Sequence, residues 1–388
     1  MKIRKLAIVS SGTDSYGTKR SIETLIGAFK GLGVDTVVVC LRPGEMTEVA
    51  ERAGAQAIVA DVAVPDDFST VAGSLCNLYS SAARASRLAI ALRDSGAEGI
   101  IIRQPRLMPL VAKASRIAGI PGFWVMPNLV SNRYPLRLNA LVYDLLLARH
   151  GMTAIANSYF TQTSLLNLFS KSAVAHLGIS PDQFDPDDVA PVSREQFGFT
   201  HQDDVFGIFG RILPFKGQLI FIRAMARVLK RYPSIRLLIC GGPVEGAYGA
   251  ELRREISAHS LEGKVVLSGT DAELGIAIPR LYAMCDVIVN SRLDPEPFGL
   301  SIIEGMLMRK PLLVHASGGP AETVDDGIDG WHIEAPTVAS FECGLLRAMS
   351  ERESWCQKGE NARAHALREF TNIHAAERIL SIMQSRVT

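Results

Sequence analysis

No segment of the chain approaches the roughly 18 consecutive apolar residues of a membrane span. The N-terminal run from Leu6 to Ser10 is also short of a signal-peptide core of about 7–15 residues. It reads as a first strand, and the expected location is the cytoplasm. The six cysteines, Cys40, Cys76, Cys240, Cys285, Cys343 and Cys356, include no C-x-x-C pair. Zinc and thioredoxin-like redox chemistry therefore lose support. Thiols scattered through apolar runs suit a reducing compartment, where they behave as small hydrophobes. The eight histidines show neither H-x3-H nor H-E-x-x-H spacing, so no metal and no cofactor is expected. There is no excess of either charge: 41 Lys and Arg face 40 Asp and Glu. Nothing global points to nucleic acid. Internal repeats and low-complexity tracts are missing as well.

What the chain does have is a core. Of its 388 residues 47% are hydrophobic and 21% charged, which is ordinary globular usage and room for two or three domains. Short Val/Ile-rich runs alternate with helix-period segments. Strands are expected at Leu6–Ser10, Thr36–Cys40, Ala57–Ala60, Gly99–Arg103, Phe123–Met126 and Ala154–Asn157. A second series is expected at Val205–Phe209, Arg236–Cys240, Val265–Ser268, Asp286–Asn290 and Leu312–His315. Such alternation implies an α/β fold with parallel sheets. It breaks at Gly178–Asp188, a Pro- and Asp-rich stretch that reads as an inter-domain linker. The expectation is two Rossmann-like domains, 1–185 and 186–371, facing each other across a cleft. An amphipathic C-terminal helix, about 372–388, carries Ala376, Ile379, Leu380, Ile382 and Met383 on one face. It is expected to pack on its own domain or to cross back to the first.

Chemistry concentrates in the second series. Gly210 follows a strand and frees the backbone to turn, which sets Arg211 and Lys216 at the carboxyl edge of the sheet. A planar fork and a mobile point charge suit a diphosphate, although two solvated surface cations would look the same. Further on, Glu296-Pro297-Phe298-Gly299-Leu300-Ser301-Ile302-Ile303-Glu304 holds two carboxylates with seven residues between them. A helix is expected to start near Gly299 or Leu300, and its first amides form an anion site. Glu304, one turn in, is placed to accept both hydroxyls of a ribose, and Glu296 to reach a sugar. The rival reading is a capping box, Ser301-x-x-Glu304. The Gly318-Gly319-Pro320 turn is a weaker candidate for close backbone approach.

In this order, G-R-x4-K-G, I-C-G-G, V-V-L-S-G-T, E-P-F-G-L-x-x-x-E-G-M, S-G-G-x-x-E and D-G-x-x-G-W, the chain resembles the retaining family 4 glycosyltransferases of the GT-B fold, most specifically over Val205–Pro336. The resemblance implies an enzyme that moves a sugar from a nucleotide-diphospho-sugar, UDP- or GDP-linked, to a sugar, lipid-linked or small-molecule acceptor. Polysaccharide, glycolipid or small-metabolite glycosylation would be its setting. Arg211 and Lys216 would hold the diphosphate and stabilise the leaving group. Glu296 would contact the donor sugar and Glu304 the ribose. Phe298, Gly299, Leu300 and Ser301 would line the phosphates and sugar, and Gly269 would lie near the base. A nucleotide-sugar epimerase or hydrolase of the same fold, or a non-catalytic nucleotide-sugar-binding subunit, are the alternatives.

The first domain departs from the family. Its Gly12–Gly17 loop lacks the usual Gly-Gly and Glu, and Val125-Met126-Pro127-Asn128 has no His. Gly12, Gly17 and Asn128 are the candidate donor or acceptor contacts there. Lys19 and Arg20, with Arg103 and Arg106, are expected to favour an anionic acceptor. Lys19 is one place late for a P-loop and Arg20 replaces its Ser or Thr. Leu136–Leu147 is apolar and flanked by Arg133, Arg137, Arg149 and His150. It is read mainly as a buried helix, with peripheral membrane contact as the alternative.

Overall fold

A computed structural model describes residues 2–14, 16–64, 81–130 and 137–387. Ser15, Cys76, Arg133 and Leu136 lie outside them. The chain divides into two compact units. One is Met1–Leu177 together with Asn372–Thr388, and the other is Gly178–Thr371.

The first unit holds β1 (Lys5–Ser10), β2 (Asp35–Cys40), β3 (Gln56–Val59), β4 (Gly99–Ile102), β5 (Gly122–Met126), β6 (Thr153–Ala156) and β7 (Ser172–Val174). They form a sheet of order β3-β2-β1-β4-β5-β6-β7, parallel at every pairing. The central strands are apolar throughout because helices cover both faces. On one face Ile100 and Ile102 join the core under the helices Ser81–Asp94 and Met108–Ala118. On the other, Ile8, Val38 and Ile101 meet Ile22, Phe29 and the C-terminal helix Asn372–Val387. Ala376, Ile379, Leu380 and Met383 of that helix are buried there, and Ile382 packs at its edge.

The second unit holds β8 (Asp204–Phe209), β9 (Ile235–Cys240), β10 (Val265–Gly269), β11 (Val287–Asn290), β12 (Leu312–His315) and β13 (Gly330–Ile333). The order is β10-β9-β8-β11-β12-β13, again parallel. Both sheets are therefore doubly wound, as expected of Rossmann-like units.

Three expectations need revision. The stretch 178–188 is a strap on the second unit, not a free linker. Phe184 is buried against Tyr282 with ring centroids 5.9 Å apart. Arg363 binds the Asp185 carboxylate at 3.1 Å, and Arg309 binds Asp187 through two hydrogen bonds of 2.6 and 2.8 Å. The unit boundary accordingly falls at Leu177/Gly178 rather than 185/186. The apolar segment after Arg137 forms the helix Leu138–His150, but it is only half buried, with Leu138, Val142 and Leu145 exposed. Two short edge strands, β7 and β13, were not anticipated.

Among the described residues no helix is long and apolar enough to cross a membrane.

Candidate active site

The second sheet reverses its winding between β8 and β11, which pair with each other at its centre. Open α/β sheets take ligands at the carboxyl ends of such a strand pair. The two loops that leave those ends are bound together. Gly217 adopts φ +74° and lies so near the Ser291 carbonyl that a Cβ would sit 1.9 Å from its oxygen. Ser291 Oγ donates to the Lys216 carbonyl at 2.8 Å, and the Leu293 amide donates to the Phe215 carbonyl at 2.9 Å. Only glycine fits this turn, and the fit sets where Lys216 stands.

Lys216 Nζ donates to Glu296 Oε2 at 2.9 Å. The other carboxylate oxygen, Oε1, accepts from Arg292 Nη1 at 2.8 Å. Arg292 also grips Asp294 through two bonds of 2.7 and 3.0 Å and lies over the Phe215 ring at 5.1 Å. Burial works to lower the Arg292 pKa, but the Asp294 and Glu296 carboxylates outweigh it and hold it above its usual value. The result is a compact, largely buried cluster of alternating charges. Arg292 is the residue that sequence reasoning passed over. Its one signal was a cation placed just beyond the end of β11, at the ligand-binding edge of the sheet. Arg211 stands at the same edge with its side chain exposed, and its carbonyl accepts from Gln218 Nε2 at 2.9 Å. Asp294 is held by Arg292.

Glu296 is also fixed through its backbone. Its amide donates to Ser317 O at 3.0 Å and its carbonyl accepts from the Gly319 amide at 2.7 Å. A Cβ on Gly319 would meet the Phe298 backbone at 2.5 Å. The Gly318-Gly319 turn thus carries the loop of the first carboxylate. Phe298 is buried and meets Phe370 edge-on at 6.0 Å.

The second carboxylate lies on the helix Leu300–Leu307. Gly299, at φ +94°, is its N-cap, so Ser301 is inside the first turn and Ser301-x-x-Glu304 is not a capping box. Glu304 is buried, and its Oε2 accepts from the Tyr282 hydroxyl at 2.8 Å. Tyr282 stacks on Phe209 at 3.8 Å and so ties this carboxylate to the end of β8. Leu300 is exposed and Ser301 half-buried at the helix start. Gly210 and Gly269 sit at neighbouring strand ends. The Gly210 amide donates to Cys240 O at 2.9 Å, and the Gly269 carbonyl accepts from the Gly241 amide at 2.8 Å. Arg211, Lys216, Glu296, Phe298 to Ser301 and Glu304 therefore gather on loops and a helix start along one edge of this sheet.

In the first unit, Gly12 packs against the second strand's loop, where a Cβ would strike the Arg42 carbonyl oxygen at 2.1 Å. Gly17 falls in the first turn of the helix Tyr16–Gly31. Asn128 is exposed, next to Pro127, whose carbonyl accepts from Asn157 Nδ2 at 2.9 Å. Lys19 is drawn into an ion pair with Glu45. Away from both sheet edges, Asp325, Asp329 and His365 bring ligand atoms within 4.8 Å of one another. Here His365 Nδ1 lies 2.7 Å from Asp329, which also accepts from the Asp325 amide at 3.0 Å.

Residues 190–365, nearly all of the second unit, match the family described as glycosyl transferases group 1. Over this unit the chain resembles the family 4 glycosyltransferases. A GDP-mannose-dependent alpha-(1-6)-phosphatidylinositol monomannoside mannosyltransferase of Mycolicibacterium smegmatis is 33% identical over 198 residues, 47% of this chain and 50% of that protein. A D-inositol 3-phosphate glycosyltransferase of Corynebacterium kroppenstedtii is 26% identical over 221 residues, 54% of this chain and 47% of the relative. The chain thus spans about half the length of the curated relatives it matches. In fold it resembles the Anabaena HepE protein solved in complex with UDP, with TM-score 0.80 and 22% identity over 98% of this chain and 100% of that one. The architecture is the GT-B fold.

Proposed function

We propose that the chain is a retaining transferase that takes a sugar from a UDP- or GDP-linked donor, without a metal ion. The observation that carries this is the Lys216–Glu296–Arg292 cluster at the β8/β11 switch point, with Glu304 on the adjoining helix. A nucleotide diphosphate brings negative charge to a place where Lys216, Arg292 and Arg211 offer positive charge. In binding, its phosphates compete for the cations that Glu296 now holds. Glu296 is thereby released toward the donor sugar. The amides of Gly299, Leu300 and Ser301 receive phosphate or sugar oxygens at the helix start. Glu304, oriented by Tyr282, accepts the ribose hydroxyls, and Gly269 lies toward the base.

As the glycosidic bond breaks, charge grows on the leaving diphosphate. Lys216 and Arg211 stabilise it more than they do the bound donor, which is what lowers the barrier. The acceptor hydroxyl attacks from the face the phosphate is leaving, and a departing phosphate oxygen takes its proton. A sugar, lipid-linked or small-molecule acceptor would lie on the first unit. The epimerase, hydrolase and non-catalytic readings have no supporting observation. The test is a thermal-shift series with UDP, GDP, ADP and dTDP. A ligand at about 100 times its dissociation constant should add roughly 2.7 kcal/mol. Proton NMR of the product's anomeric centre then reads the stereochemistry. No shift with any nucleotide overturns the donor site, and an inverted product overturns retention.

Peripheral membrane contact belongs to the same proposal, with an anionic bilayer surface as the partner. Leu138, Val142 and Leu145 recur at helical spacing on the outer face of the helix Leu138–His150 and are 51, 48 and 47% exposed. Asp144 accepts the amides of Leu168, Phe169 and Ser170 at 2.9 to 3.0 Å, which fixes the exposed Leu168 and Phe169 beside that helix. The surrounding charge is one-sided. From Gly99 to Pro181 the chain has eight Lys and Arg and a single carboxylate, Asp144 itself. An exposed apolar patch with a basic setting suits anionic headgroups. The wild type should sediment with phosphatidylglycerol vesicles and less with phosphatidylcholine, and Leu145→Asp should abolish this. Equal sedimentation of both proteins, or a dimer that Leu145→Asp dissociates, overturns it.

A further inference from the structure

The first sheet has a switch point of its own, and its side chains are not used by the donor site. β1 pairs with β2 on one side and β4 on the other. The carboxyl ends of β1 and β4 therefore flank the crevice where a doubly wound sheet takes a ligand. The segments at those ends are Ser10–Asp14 and Arg103–Arg106. They are joined at Ser11, whose Oγ accepts from Arg106 Nη2 at 3.1 Å and from Gln104 Nε2 at 3.4 Å. Arg106 Nε also donates to Gln104 Oε1 at 3.2 Å.

Arg103 is the exceptional group. It is the first residue after β4, level with Ser10 by the register that pairs Ile102 with Val9. It is 4% exposed, and among the described residues its Nη1 has no hydrogen-bond partner. Among the described residues no carboxylate compensates its charge, and burial pushes its pKa down to about 10. Buried charges are normally paired, and an isolated one is destabilising. The acid at this edge, Asp14, is held by two hydroxyls. It accepts from the Ser10 hydroxyl and, at 3.2 Å, from Ser11 Oγ, and its field acts on Cys40. Lys19 is drawn off by Glu45. Among the described residues the edge thus sets Arg103 and Arg106 against Asp14, and Arg103 has no counterion.

We propose that this crevice is an anion site for the phosphate of the acceptor, a phosphate mono- or diester or diphosphate, free or lipid-linked. The phosphate oxygens would pair with Arg106 and Arg103 and take a hydrogen bond from Gln104. That the ligand is an acceptor rests on the transferase reading; that the crevice binds phosphate does not.

The experiment is calorimetric titration of the full chain, with and without saturating UDP or GDP. The probes are inorganic phosphate, glycerol 3-phosphate for a free ester, and farnesyl diphosphate below its micellar concentration for a lipid-linked one. Binding should persist with the nucleotide bound, and fall at least tenfold in both Arg106→Gln and Arg103→Met. The probe that binds tighter identifies the source. The melting temperature separates this from a structural role. Arg103→Met removes an unpaired buried charge, so the ligand-free protein should melt at the same temperature or higher. A lower melting temperature with unchanged phosphate affinity overturns the proposal. Phosphate displaced by the nucleotide also overturns it, because the anion would then share the donor site. Failure of nucleotides to bind while phosphate still binds through Arg106 removes the transferase reading alone.

Discussion

Lys216 Nζ and Glu296 Oε2 lie 2.9 Å apart although they come from loops after different strands. The pair is largely buried, and its second oxygen is claimed by Arg292. A buried pair broken on one side is strongly destabilised, because the remaining charge keeps its desolvation cost. Lys216→Ala therefore removes the cation proposed to stabilise the leaving group and leaves Glu296 to Arg292 alone. Turnover should fall on the order of 10²–10³, the usual cost of one donor to a developing oxyanion. Steady-state kinetics with the donor identified by thermal shift checks this, and full turnover in the variant would remove Lys216 from the leaving-group role.

Arg292→Lys keeps the charge but not the fork. Lysine cannot bind Asp294 through two bonds and Glu296 through a third. Donor affinity is expected to weaken about tenfold, with Glu296→Gln suppressing much of the difference between Arg and Lys. An additive double-mutant cycle would show that the two residues act independently.

Tyr282→Phe removes the hydroxyl that orients Glu304. A hydrogen bond to a charged group is worth about 1.5–3 kcal/mol, which is at least tenfold in affinity. The loss should appear with nucleoside diphosphates and not with pyrophosphate, since Glu304 is assigned to the ribose. Equal losses for both ligands would move Glu304 off the ribose.

Gly217→Ala should destabilise the second unit by about 1–3 kcal/mol, the cost of overpacking. The added methyl would sit 1.9 Å from the Ser291 carbonyl oxygen, at a backbone φ of +74°. Differential scanning calorimetry reads this as a lower melting temperature, accompanied by weaker nucleotide binding because Lys216 is displaced.

Asp144 gives a pH signature. Burial works to raise its pKa, but hydrogen bonds from Ser170, Phe169 and Leu168 outweigh this and hold it below the ordinary carboxylate value. Its contribution to stability is full above the unfolded value, near pH 4, and drains away as pH falls through the lower native value. Asp144→Asn should flatten the acid limb of stability below about pH 4 and lower stability at pH 7. An unchanged acid limb would assign that loss to other carboxylates.

The strands that sequence makes legible are the central ones. β1, β4 and β8 are Val/Ile-rich and covered on both faces, so burial writes itself into composition. β7 and β13 were missed because each lies at a sheet edge and is only a Ser-Ala-Val or a Gly-Trp-His-Ile. The position of Glu296 and Glu304 on a loop and a helix start was legible from their spacing around Pro-Phe-Gly. Arg292 was not, because its partners are set by loop geometry that spacing does not encode. The strap at 178–188 looked structureless for the same reason. Its order comes from Arg309 and Arg363, more than a hundred residues away.

The Ile179 amide donates to the Phe370 carbonyl at 3.0 Å, beside a bridge between Ile179 and Thr371. The chain thus enters and leaves the second unit through two adjacent segments joined by a single bridge. That unit is an insertion within the first, closed at its own neck. Excised as 178–371, it has its ends already side by side, as a module suited to grafting or circular permutation. The helix Asn372–Val387, by contrast, shares a core with Ile8 and Val38 of the first unit. A truncation before Asn372 would strip a wall from that unit.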